Sequence, residues 1–427
     1  MIDADTGGAP PKHDPYAALR LRDFRWYIVS LFTMTLATQM QAVVVGWQVY
    51  DLTHDPLSLG LVGLAEALPF IALALPAGHL ADLLDRRHVS MIGLTATMLC
   101  SLALLALTAR GMVHPGHVWP IYATIFAMGI ARSFLQPARQ AFGIDIVPRP
   151  LYPNAVAWRS STWQTAAVAG PALGGLLYGF TGITTTYLVV AAFLVISVAG
   201  FAMIPSRDEP RSATEPATSM SDSLLVGLRF VFREPVLLSA LALDLFSVLL
   251  GGAEALLPVF AREILHVGPQ GLGLLRAAPA AGAAIIGVAL AHRPPFTRAG
   301  RTLLLSVAAF AAGIIVFGLS RSFWLSLGVL AFCGMADGIS VVIRSTLLQT
   351  LTPKELLGRV SAVNSIFIGS ANEIGAFESG ATARLFGTVP AVLLGGVASL
   401  AVVVVIAARV PKLRRLGRID QHTLPGG

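Results

Sequence analysis

The sequence predicts an all-α polytopic membrane protein of about twelve transmembrane helices, arranged as two pseudo-symmetric six-helix bundles. Three observations point there. Of 427 residues, 55% are hydrophobic and only 12% are charged, about half the charged share of a soluble domain. Mean hydropathy is +0.73, and no soluble core of this length hides so much apolar surface, so the bilayer serves as solvent. Apolar runs of about twenty residues recur along the chain, and the second half repeats features of the first.

The N-terminal tail, 1–23, is polar and lacks the short apolar region and cleavage site of a secretory signal, so the first span is expected to insert directly. A first bundle over 24–204 is expected to hold spans near 24–49, 57–77, 89–109, 118–139, 154–178 and 183–204. The segment SRDEPRSATEPATSMSDS follows, rich in Pro, Ser and charge, and 205–234 reads as a linker. A second bundle over 235–409 is expected to hold spans near 235–261, 271–291, 301–319, 323–344, 356–384 and 388–409, before a tail at 410–427.

The net charge is +7, but the bases are spread over short loops rather than clustered for phosphate contact, which excludes nucleic acid as the partner. They collect on alternate loops. One side carries Arg20, Arg22, Arg25, Arg86, Arg87, Arg149, Arg229, Arg233, Arg298, Lys412 and Arg414; the other carries Arg110, Arg262, Arg321 and Arg384. By the positive-inside rule both termini and the linker are expected in the cytoplasm, with the protein in a bacterial inner membrane. Cys100 and Cys333 sit far apart in apolar runs and read as small core residues.

The halves repeat. Sliding 131–179 onto 336–384 superposes Arg139 on Arg344, Pro148 on Pro353 and Gly170 on Gly375. GLVGLAEALP, from Gly60, lies over QGLGLLRAAP, from Gln270.

Two stretches are built for helix contact. GHLADLLDRRHV, 78–89, reads as a charged turn between the second and third spans. In it Gly78 allows close approach, Asp82 caps a helix or pairs with a base in one conformer, and Arg86 and Arg87 sit at the headgroup level. A gate and a topology anchor both fit. In the fifth span AGPALGG places Gly170, Pro171, Gly174 and Gly175, which remove bulk and free backbone bonds, as suits a bendable contact between halves or a merely close-packed helix.

An ion at mid-membrane costs about 2.5 kcal/mol or more, so Glu66, Arg132, Asp244, Glu254, Arg276, Asp337, Glu373 and Glu378 each need a reason. Glu66 falls on Arg276, and Arg132 on Asp337, so the repeat inverts both signs. Local pairs Glu66–Arg132 and Arg276–Asp337 would neutralise all four, although estimated depths differ by about 10 Å. Such pairs are either inert or release a carboxylate to take a proton. The proton-coupling candidates are Glu66, Arg132, Asp244, Asp337 and Glu373, with Glu66 and Asp244 favoured as the protonatable groups. Gln41 and Gln48, seven residues apart, share one helical face with Gln39 and Trp47 beside them. With Trp163, Gln164, Phe246 and Asn364 they form a substrate path or an interhelical hydrogen-bond seam. The aromatics and the few fixed charges favour an amphipathic or aromatic substrate over a sugar phosphate.

These residues resemble the major facilitator superfamily along nearly the whole chain. Gly78, Asp82, Arg86 and Arg87 are similar to its loop between the second and third helices, with departures at Leu83 and Asp85. AGPALGG resembles the GPxxGG signature associated with proton-driven antiporters, with Ala166 at the preceding small position. Arg132 stands where the superfamily places a buried arginine implicated in proton coupling. FRWY near Arg25, GWQVYDLT around Trp47 and ADLLDRR together look most like the branch that includes enterobactin exporters and macrolide efflux proteins. The resemblance implies a monomeric secondary transporter that exports a siderophore or an amphipathic drug-like compound by proton antiport, through rocker-switch alternating access. Its partners are that small molecule, protons and the lipid bilayer, with no cofactor or metal. Neither a Ser-x-x-Lys nor a His-Glu-x-x-His motif is present, and no strand-turn-helix phosphate cradle, so neither enzymatic chemistry nor ATP drive is expected. Uptake or facilitated diffusion, and a non-transporting sensor or scaffold of the same fold, remain alternatives.

Overall fold

The computed structural model describes residues 14–205, 220–294, 296–353 and 355–417, and apart from one isolated bridge its regular structure is helical. In order the helices are α1 (Arg22–Thr53), α2 (Pro56–Leu83), α3 (Arg86–Ala109), α4 (Trp119–Asp145), α5 (Tyr152–Thr181) and α6 (Ile183–Ala202), then α7 (Met220–Arg233), α8 (Pro235–Leu250) and the short α9 (Leu257–Val259). α10 (Gly268–Ala291), α11 (Ala299–Leu319), α12 (Phe323–Leu351), α13 (Leu357–Phe386), α14 (Thr388–Arg409) and the short α15 (Pro411–Arg414) complete the chain.

Local chemistry punctuates these helices. Asp55 caps α2, its side chain accepting from the Leu57 N–H at 3.0 Å with Pro56 in the first turn. Single glycines, Gly182 and Gly387, separate α5 from α6 and α13 from α14, with φ of 86° and 91°, a region that side chains with a Cβ avoid. His54 and His266 close the α1 and α9 segments at φ 51° and 53°. These matched positions make the internal repeat visible in the backbone.

Three expectations need correction. Residues 235–261 are not one continuous helix: α8 stops at Leu250, and a 3-10 turn (Ala253–Leu256), α9 and a π-helical turn (Phe260–Ile264) follow. Adjacent Gly251 and Gly252 weaken the helix there, and Pro258 removes a backbone donor. The expected linker is partly helical, since 220–233 forms α7; residues 206–219 lie outside the described residues. The turn expected over 78–89 narrows to Leu84 and Asp85, because α2 runs to Leu83 and α3 begins at Arg86. Gly78 and Asp82 are therefore helical; the Asp82 side chain lies outside what the structure describes. The acid that caps α3 is Asp85, which accepts from the Arg87 N–H at 2.8 Å.

α1 packs on α5 and α6, and α4 on α2 and α3; in the second half α12 packs on α10 and α11, and α14 on α11. The two halves meet through α2 against α13 and α5 against α10. Among the described residues nine helical spans, one of them the interrupted run Pro235–Ile264, are long and apolar enough to cross a membrane. α4, α5 and α13 fall outside that set because they carry polar side chains such as Arg132, Gln164 and Glu373.

The apolar core differs between the two ends of the bundle. At the end holding His54, here the far end, one buried cluster joins Val43, Tyr50 and Leu59 of the first half to Leu256, Phe260, Leu272 and Phe317 of the second. At the opposite end, which holds the Leu84–Asp85 clip, the described clusters each draw on one half. Phe24, Tyr27 and Phe142 form one, and Leu303, Leu347 and Leu413 another. Among the described residues the apolar cluster shared by the halves lies at the far end, and none of the clip-end clusters spans both halves.

Burial raises the Asp85 carboxyl, but the N–H groups of Arg87 and His88 and the His88 ring outweigh it and leave the group below the ordinary aspartate value. A depressed carboxyl contributes stability above the unfolded-state pKa and loses it as pH falls through the folded-state value. Asp85→Ala is therefore expected to cost about 1 kcal/mol at neutral pH. The deficit, read from thermal unfolding in detergent, shrinks in acid.

Candidate functional site

Arg132 on α4 is the centre of the site. Its Nη1 donates to Glu66 Oε1 of α2 and, at 3.2 Å, to Glu373 Oε1 of α13; its guanidinium stands 5.2 Å from the centre of the Phe70 ring. One base therefore binds an acid in each half. Small residues permit this. A Cβ at Gly129 would stand 2.7 Å from the Glu66 carbonyl, one at Gly63 2.8 Å from Ala376 Cβ, and one at Gly380 2.9 Å from Gly60 Cα. The expected depth mismatch between Glu66 and Arg132 vanishes because α2 and α4 cross closely at Gly129 and the arginine side chain is long. The three side chains keep partial exposure: 40% for Arg132, 27% for Glu66 and 18% for Glu373.

The second half builds its cluster differently. Asp244 of α8 pairs with Arg344 of α12, both nearly buried, and Arg344 Nη2 lies 3.8 Å from Asp337 Oδ1. The expected pair Arg276–Asp337 is not formed. Arg276 instead reaches Glu254, Nε to Oε1 3.6 Å, because the break after Leu250 carries Glu254 off the line of α8. Asp337 and Arg344 stand on one face of α12, so the arginine serves both aspartates. Sequence reasoning missed Arg344 by treating it as a span end; α12 continues to Leu351, and the superposition on Arg139 was the available signal. A small pocket beside the pair is lined by Asp244, Ser247, Ser306, Phe310, Asp337 and Ser340. Glu378 accepts from Thr382 Oγ1 at 2.8 Å.

Polar ties cross between halves at the far end. Arg262 pairs with Asp51, the Tyr50 hydroxyl donates to Glu263, and Arg384 Nη1 lies 3.4 Å from Asp55 Oδ2. The glycine motif of α5 divides its work. Gly170 and Gly174 press on α1, where a Cβ would meet Gln39 Cβ at 2.6 Å and Met40 Cα at 2.9 Å. Gly175 faces α10, where a Cβ would meet the Pro269 carbonyl at 2.4 Å and Gly273 Cα at 2.6 Å. The Pro171 carbonyl borders Gly273, and Gln164 Nε2 donates to the Ala280 carbonyl at 2.9 Å.

The described partners of the clip bases lie in their own half. Arg86 Nη1 contacts Asp145 at 2.8 and 3.1 Å, and Arg87 Nε donates to the Ile204 carbonyl at 2.7 Å. Gln41 and Gln48 do not line a passage. Both are buried inside the first half, where Ser101 donates to Gln41 while Gln48 bonds Thr108 at 3.1 Å and Tyr187 at 2.8 Å. They form the interhelical seam, since a buried amide in an apolar bundle must find such partners. Trp47 packs edge-on to Tyr178, with ring centres 6.4 Å apart. Trp163 and Phe246 are exposed, and Asn364 is half-buried.

Residues 13–425 match the family model described as "Transmembrane secretion effector". The chain is 26% identical over 393 residues to the enterobactin exporter EntS of Citrobacter koseri, covering 92% of each. It is 26% identical over 405 residues to that of Escherichia coli, covering 95% of each. Its fold is similar to a POT family transporter crystallised with 5-aminolevulinic acid, at TM-score 0.70 and 11% identity over 92% of this chain and 96% of that one. It is also similar to the nucleoside transporter NupG, at TM-score 0.71 and 13% identity over 91% and 100%. A bacterial homologue of the human lysosomal transporter Spinster, in an inward-facing and occupied conformation, matches at TM-score 0.65 and 15% identity over 97% and 100%.

Arg344→Met strands a buried Asp244 carboxylate, and the expected loss is about 3 to 5 kcal/mol; adding Asp244→Asn recovers much of it, as thermal unfolding in detergent will report. Gly175→Leu cannot keep the α5–α10 approach. Spin labels at the far ends of those helices should show a longer inter-half distance than in the unsubstituted protein.

Proposed function

Because this chain belongs to the transmembrane secretion effector family of the major facilitator superfamily, and is a multi-pass membrane transporter of the export class, we propose that it exports a siderophore or an amphipathic drug-like compound by proton antiport. The observation that carries this reading is Arg132 held between Glu66 of one half and Glu373 of the other. If the halves rock apart at the far end, α13 leaves α2 and Glu373 loses its base. A carboxylate stranded in an apolar wall is costly, and taking a proton relieves it. Protonation is in this way tied to which face of the passage is open.

The loading face in this reading is the clip end, where the described apolar clusters each belong to one half. The concentration of arginines there supports a cytoplasmic clip end and cytoplasmic termini, so the cargo enters from the cytoplasm. Opening the far end breaks the Asp51–Arg262, Tyr50–Glu263 and Asp55–Arg384 contacts and parts the shared apolar cluster. Exposed ion pairs contribute about 0.2 to 1 kcal/mol each, small enough for cargo and protons to override. Asp244 and Asp337 around Arg344 form the second proton-coupling candidate, and the clip residues Gly78, Asp82, Arg86 and Arg87 are proposed as the gating loop. The name of the enterobactin relatives, with the exposed aromatics Trp163 and Phe246, favours a siderophore-like or aromatic cargo.

Proteoliposomes loaded with a pH dye and challenged with siderophores, macrolides and amphipathic cations test the exchanger. Proton movement is expected only with a transported compound, and Glu66→Gln or Glu373→Gln should lower it about tenfold or more. Traces identical to empty liposomes across the whole panel overturn the reading.

A further inference from the structure

Arg139 lies on α4 seven residues beyond Arg132. That spacing returns to the same helical face about 10 Å nearer the clip end, so Arg139 lies on the side of α4 that carries Arg132, and it is partly exposed. Its guanidinium donates to Met34 Sδ at 3.0 Å, and it has no acid partner among the described residues. Two cations, Arg132 and Arg159, bear on it, beside the Tyr27 phenol. Arg159 of α5 reaches only the Gln140 carbonyl, at 3.4 Å. One turn before Arg139, Gln136 Oε1 is buried with no hydrogen-bond partner.

The internal repeat makes the missing acid conspicuous. Arg139 superposes on Arg344, whose counter-ion is Asp244 of α8. The shift that carries Glu66 onto Arg276 carries Met34 onto Asp244, and the structure agrees, since Met34 touches Arg139 where Asp244 touches Arg344. The second half thus neutralises its arginine internally. The first half keeps the arginine and places a thioether where the carboxylate belongs.

A guanidinium without a counter-charge in an apolar wall is expensive, and its planar fork matches oxyanions that accept two parallel hydrogen bonds. We propose that the counter-ion is the cargo: Arg139 takes an organic anion bearing a carboxylate, catecholate or hydroxamate. The acidic group is drawn past Arg159, held by Arg139 and passed to Arg132. There it competes with Glu373, so arrival of the anion weakens the tie between the halves. This inference rests on the exporter reading only for calling the bound anion cargo.

The test uses the full chain in lipid nanodiscs and isothermal titration with probes on one naphthalene core: a carboxylate, a catechol, a hydroxamic acid, a neutral carboxamide and an ammonium. At least one anion is expected to bind more tightly than the carboxamide and the ammonium. Arg139→Met should weaken that anion about 10- to 100-fold and leave the carboxamide unchanged, while Arg139→Lys should retain part of the binding. Met34→Asp supplies the absent acid in the geometry that Asp244 already uses. It should keep the protein folded, as judged by its melting temperature, and lower anion affinity as far as Arg139→Met does. No preference for any anion, or equal anion binding by the unsubstituted protein and both variants, overturns the proposal. Proton exchange driven by neutral or cationic compounds without anion selectivity overturns it while leaving the exporter reading intact. Anion binding in nanodiscs with no compound-driven exchange in proteoliposomes supports the site and sinks the exporter reading.

Discussion

An arginine at mid-membrane must find negative charge, and Arg132 finds it in both halves at once. That requirement shapes everything around it. Glu66 must come within reach from α2 and Glu373 from α13, so α2, α4 and α13 must cross closely. They do so at Gly60, Gly63, Gly129 and Gly380, where backbones approach to distances that a side chain would forbid. In a bilayer the hydrophobic effect does not drive helices together, and close packing with polar contacts does it instead. The glycine seams and the ion triad are therefore one device.

That device lies on the clip side of the apolar cluster that the halves share. Toward the far end the halves share an apolar cluster, a glycine-on-glycine contact at Gly175 and Gly273, and three polar ties. Toward the clip end each half closes on its own core. The polar ties at the far end are individually weak, so in the proposed cycle cargo and protons suffice to part them.

The two halves share a pattern of positions and not a pattern of charges. Each carries an arginine at the repeat position of Arg139 and Arg344, yet only the second half supplies the aspartate beside it. Each carries charge at the positions of Glu66 and Arg132, with the signs inverted at Arg276 and Asp337. A symmetric scaffold with asymmetric charge gives one half a self-contained ion cluster and leaves Arg139 of the other against a thioether.

Much of the architecture was legible in the sequence, because a bilayer imposes about twenty apolar residues per crossing and an internal repeat needs no coordinates to be seen. The Glu66–Arg132 contact followed from the same reasoning, since one buried charge demands another. Three things were not legible. The helix break after Leu250 depends on how Gly251, Gly252 and Pro258 pack. Gln41 and Gln48 share a face that a sequence cannot tell apart as seam or passage, and burial against Ser101, Thr108 and Tyr187 decided for the seam. Most of all, the sequence by itself determined which charges must be neutralised, while only the tertiary structure decided by whom. Pairing depends on how closely helices cross and how far a side chain reaches, and those distances separate Arg276 from Asp337, give Arg132 to Glu373, and leave Arg139 against Met34.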